Sequence, residues 1–184
     1  MIRLLCILLT FGGLAVGVTE APSVTLYERP VANVPVALRQ ANWLGSRREG
    51  SCCHASLITA LRWQGRDATA RWWKSHHGDG ETPASLAEEM DDANLRYAVT
   101  IGRRDVRFLE DAVRTRRGCL VAVDHRSHMV FLAHLDAKSA GLIDNNDVKR
   151  VHWVPRDEFL TEWFASDSWA VCVLYTPVPP LAQR

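Results

Sequence analysis

Apolar positions along this chain change their period part-way through. Ala55, Leu57, Ile58, Leu61 and Trp63 recur at helical spacing, and Gly65 follows them. That is one buried helix face, closed by a residue that tolerates a left-handed stop. It predicts a helix over 52–64. Asp67 stands where it can cap a second helix running through Trp72 and Trp73, and residues 76–80 read as a loop. Thr82 and Pro83 mark a third start, with Thr as N-cap and Pro at the first helical position, and that helix runs to about Ala93. Residues 95–101 read as a strand. Asp105 opens a helix carrying Val106, Leu109, Ala112 and Val113, which ends before Gly118. Beyond that glycine the signals are those of strands, over 119–123, 128–135, 140–143 and 148–154, with residues 136–139 as a hairpin turn. A short helix over 157–164 and a strand over 169–175 complete the pattern. Helices lead and strands follow. The fold class expected is α+β, with N-terminal helices packed on a C-terminal antiparallel sheet.

The first residues stand outside this pattern. A short basic start, Met1 to Arg3, precedes a mostly apolar run from Leu4 to Val18. Residues 1–22 read as a signal peptide, which makes the protein an exported one, periplasmic or extracellular; the alternative is an uncleaved N-terminal anchor. Residues 23–45 hold Pro30 and Pro35 without sustained periodicity and read as an extended lead-in. Residues 46–176 form one domain, and 177–184 are a tail. At 184 residues a single domain has room for a substantial core. A net charge of +1 with interspersed signs points to neither nucleic acid nor a membrane surface as partner. Cys119 and Cys172 lie on expected strands. They would bridge if those strands were neighbours, but they read better as small buried hydrophobes.

The chemistry concentrates at Gly50 to Leu57. Ser51 sits in N-cap position, Cys52 and Cys53 follow, and the apolar helix begins there. A thiol at a helix N-terminus meets the positive end of the dipole and unpaired N–H groups, which favour thiolate. His128 opens a later strand, and Asp144 and Asn145 end the next one. Cys, then His, then Asp or Asn is the set of a cysteine hydrolase. His125, three residues earlier, is the second choice of base. His134 would share a strand face with His128 in the absence of a bulge. The bland readings are a structural strand histidine and a polar turn at 144–147. Cys52, Cys53, His54, His76 and His77 carry metal-ligand chemistry, but their spacing fits no standard zinc pattern, so neither a metal nor a cofactor is expected.

These residues resemble the papain-like cysteine peptidases, closest to the bacteriocin leader-peptidase or double-glycine peptidase domains. Those open the nucleophile helix on Cys-Gly-x-Ala-x-Leu, matched here by Cys52, Ala55 and Leu57, with Cys53 replacing the glycine. The chain is also similar to small exported bacterial papain-like proteins through Gly50–Ser56, Leu61–Gln64, Thr115–Gly118 and Ile143–Asn146. The resemblance implies a papain-like fold and peptide or amide bond hydrolysis on a peptide or protein substrate. It implies Cys52 as nucleophile with Cys53 as competitor, His128 as base, and Asp144, or Asn145 instead, as orienting residue. One departure stands out. The Gln that such enzymes place six residues before the nucleophile is absent, with Ser46 and Arg47 at the two possible positions. That leaves Gln40 or Asn42 as oxyanion donor. It also leaves two alternatives: an inactive papain-like module that binds a peptide or protein partner, and a transamidase of the same fold.

Overall fold

The helix at Cys52–Trp63 (α1) explains the rest of the architecture. Ten of its 12 residues are buried. A helix covered on nearly all sides belongs in the middle of a fold rather than on its surface. In the structure, a computed structural model describing residues 34–175, α1 lies against one face of a six-stranded sheet. The expected signal peptide, residues 23–33 of the expected lead-in and the expected tail lie outside the described residues.

Two more helices precede the sheet, α2 (Asp67–His76) and α3 (Pro83–Asp92). Strand β1 (Tyr97–Thr100), helix α4 (Val106–Arg114), strands β2 (Cys119–Val123), β3 (His128–Leu135), β4 (Ser139–Ile143) and β5 (His152–Pro155), helix α5 (Arg156–Ala165) and strand β6 (Ala170–Val173) follow. The sheet order is β1-β6-β2-β3-β4-β5, with every pairing antiparallel. The fold is therefore α+β.

One core joins Leu57, Ile58 and Leu61 of α1 to Trp73, Leu86, Phe131 and Ile143. On the other face Leu109 of α4 and Phe159 and Trp163 of α5 pack with Val121, Val130 and Leu132. Covering on both faces accounts for the unbroken apolar run of β2, buried at its first four positions.

Local chemistry sets the boundaries. Thr82 Oγ1 accepts from the Ser85 N–H, and Asp105 Oδ1 accepts from the Phe108 N–H. Gly65 and Gly118 take φ of +72° and +63°. Three expectations change. Asp67 is the first residue of α2, whose N-cap is Arg66. Ser51 occupies the N-cap of α1 without a capping bond, because its hydroxyl is engaged in the preceding loop. The strand expected from Val148 begins only at His152, since residues 145–150 are turns in which Arg150 pairs with Asp147. A register irregularity in β3 between Leu132 and His134 also matters. Past it Leu135, not His134, packs with Val130 and Leu132, so His134 leaves the face that alternation from His128 would give it.

Candidate active site

The site forms where the start of α1 meets the start of β3 and the end of β4. Asn145 ties the three together. Its Nδ2 lies 3.2 Å from Cys52 O, 3.2 Å from Ser56 Oγ and 2.7 Å from Met129 O, and the residue is buried. Ser56 adds its own bond to Met129 O at 3.2 Å. Asn145 is thus bonded into the scaffold, and the structure does not bring it to His128 as an orienting group.

Asp144 is the residue that meets His128. Its Oδ1 lies 2.9 Å from His128 Nε2 and also accepts from the Asn146 N–H at 2.8 Å. With Nε2 on the carboxylate, Nδ1 remains for the sulfur of Cys52. The Cys52 thiol is lowered to about 4. The largest cause is a hydrogen bond from the neighbouring Cys53 thiol; the bond from His128 and the backbone of Met129 add to it, and burial opposes it. His128 is raised to about 9, first by its hydrogen bond to Cys52 and then, against burial, by Asp144. The two directions agree. Between those values the pair is thiolate and imidazolium.

Adjacent residues on a helix point about 100° apart, so one of two neighbouring cysteines turns inward. Cys53 is that one, 4% exposed and part of the α1 core, and its thiol is pushed well above the ordinary range by its bond to Cys52 and by burial. Cys52 keeps partial exposure. It lines a cleft of about 390 Å³ with Asn42, Glu49, Glu81, Arg126, His128 and Trp169.

The two oxyanion candidates separate here. Gln40 is buried: its Nε2 donates to Ala41 O at 2.7 Å and its Oε1 accepts from Lys74 Nζ at 3.2 Å. It does not line the cleft. Asn42 does. Its Oδ1 accepts from the Ser51 N–H at 2.8 Å, and its Nδ2 gives one hydrogen to Asn146 Oδ1 at 3.1 Å, leaving a second. His125 is one of three successive residues with positive φ, Asp124 to Arg126, in the loop before β3, and it does not line the cleft.

Of the residues weighed as metal ligands, only His54 joins a ligand cluster, with Glu81 and Glu89, whose ligand atoms lie within 4.8 Å of one another. The Trp73 indole N–H donates to His54 Nδ1 at 3.1 Å. Indole can only donate, so the proton of a neutral His54 sits on Nε2 and removes the lone pair that a metal would need there. All four described cysteines are free. Cys119 and Cys172 are buried on the neighbouring strands β2 and β6.

Neither the tie made by Asn145 nor the cleft positions of Glu81 and Arg126 has a spacing signal. They come from strand register and loop path. Trp63, Trp73, Trp163 and Trp169 are buried as core residues, although Trp169 also borders the cleft, and Trp72 is exposed.

Comparison with solved structures decides the fold. A Bacillus anthracis protein described as a C39-like peptidase aligns with a TM-score of 0.59 at 14% identity, over 80% of this chain and 98% of that one. The fold is papain-like. A double-glycine-motif protease from an AMS/PCAT transporter, solved in complex with its leader peptide, aligns at a TM-score of 0.49 and 16% identity over 76% of this chain and 94% of that one. No protein-family profile and no curated protein matches the chain.

Proposed function

We propose that this papain-like chain is an exported cysteine peptidase that hydrolyses peptide or amide bonds through Cys52, His128 and Asp144. The observation that carries the reading is His128 set between the Cys52 sulfur and Asp144 at the N-terminus of a buried helix. The Cys52 thiolate attacks the scissile carbonyl carbon. His128 gives its proton to the leaving amine, and a thioester remains. Neutral His128 then takes a proton from water, whose oxygen displaces the sulfur and releases the acid. Asp144 holds the imidazole in the direction this needs. The Cys52 N–H, in the first helical turn and so without an intrahelical acceptor, and the second Asn42 Nδ2 hydrogen supply donors for the oxyanion.

Incubation of the protein with casein and with a mixed peptide library, read by mass spectrometry, tests the proposal. New termini that vanish in Cys52→Ala are expected. An unchanged substrate pool at high protein concentration would leave a module that binds without cutting. Products joined to an added amine rather than to water would make the enzyme a transamidase.

A further inference from the structure

The charges around the cleft are compensated one by one, with one exception. Glu49 is paired with Arg47 at 3.0 Å, Arg126 with Asp167 at 2.7 Å, and His128 with Asp144 at 2.9 Å. Glu81 also lines the cleft, beside Cys52 and Cys53, and its side chain is only 9% exposed. Its partner is His54 Nε2 at 3.4 Å. Burial pushes that imidazole below its ordinary range, and the Trp73 N–H occupies its other nitrogen. A neutral ring brings no countercharge, and its Nε2 has no hydrogen-bond partner.

Arg47 feels the charge of Glu81, but its guanidinium bonds Glu49 and Gly80 O. Among the described residues, no lysine or arginine forms an ion pair with Glu81. A carboxylate held away from water without a counterion is costly, and a cation entering the cleft relieves that cost. Met129 and Trp169 border the same cleft, so the surroundings of Glu81 there are partly apolar.

We propose that Glu81 is a specificity-determining residue that receives a cationic group of the substrate, a lysine or arginine side chain flanking the bond to be cut. The proposal rests on the peptidase reading of Cys52. It also has a readout that needs no cleavage.

Two assays on the full chain separate the two ideas. The first follows modification of Cys52 by aminoethyl (cationic) and methyl (neutral) methanethiosulfonate, each rate divided by that of a free thiol. The second compares hydrolysis of hexapeptides carrying lysine or norleucine at each position in turn. The expected results are a preference for the cationic reagent and for lysine at one position, each about tenfold. Both fall toward unity in Glu81→Gln and persist in Glu81→Asp. A wild-type ratio near one in both assays overturns the proposal without any variant, as does a preference that survives Glu81→Gln. Glu81-dependent reagent selectivity without any peptide cleavage supports the cation site and overturns the peptidase reading.

Discussion

His128 Nε2 and Asp144 Oδ1 lie 2.9 Å apart, one at the first residue of β3 and the other just beyond the last residue of β4. The hairpin register makes the pair. Phe131 opposes Ile143, so the start of β3 and the end of β4 arrive at the same place. In Asp144→Ala the imidazole loses one of the two groups that raise it and its fixed direction. The expected outcome is a fall of about 10²–10⁴ in kcat, together with a high-pH limb that moves below about 9. A pH profile of kcat/KM on any peptide the protein cuts checks both.

The oxyanion proposal separates acyl chemistry from simple alkylation. Asn42→Ala should lower kcat by about 10²–10³, with a much smaller change in the rate at which Cys52 reacts with iodoacetamide, which develops no oxyanion. Equal losses in both would move Asn42 from the oxyanion to a role in holding Ser51, to whose N–H and hydroxyl its Oδ1 is bonded.

Asn145 is a stability residue in this account. Replacing it by alanine strips bonds from two backbone carbonyls and a hydroxyl at the junction of α1 and β3. The expected cost is about 1–3 kcal/mol, read as a lower urea midpoint with an unchanged m-value.

Gly118 turns the chain from α4 into β2 at φ +63°, and a Cβ there would meet the Phe131 ring and Leu132 O. Gly118→Ala should therefore destabilise by more than about 1 kcal/mol. Thermal unfolding of the two proteins checks this, and an equal melting temperature would show that the turn relaxes.

The thiolate–imidazolium pair also shapes stability against pH. The Cys52 pKa is lowered, so its contribution is present above the unfolded thiol value, roughly 8.5, and is lost as pH falls through about 4. The His128 pKa is raised, so its contribution is full below roughly 6.5 and is lost as pH rises through about 9. Their sum rises from about 4 to about 6.5, stays level to about 8.5 and then declines. Urea unfolding of the wild type and Cys52→Ser across this range should differ by the Cys52 contribution and the part of the His128 contribution that Cys52 supplies, so the difference rises from about 4 and declines toward about 9.

The element types and the helix starts at Thr82 and Asp105 were legible because each rests on local chemistry: a side-chain acceptor, a proline or a left-handed glycine. The positions of Cys52, His128 and Asp144 at the ends of elements were legible for the same reason. The rest depended on long-range partners. Ser51 gives up its capping bond because Asn42 and Trp43 occupy its hydroxyl. The strand expected from Val148 starts late because the turn after β4 continues through Arg150. Which of Asp144 and Asn145 faces His128 was settled by the bonds of Asn145 to α1 and β3, residues far away in the chain.

The central claim is an activated Cys52 dependent on His128. Iodoacetamide labelling across pH 4–9 with peptide mapping, on the wild type, Cys52→Ala, Cys53→Ala and His128→Ala, tests it most directly. The account requires fast labelling of Cys52 alone below pH 6, lost when His128 is replaced. Labelling that appears only above pH 8, or that is indifferent to His128, would contradict it.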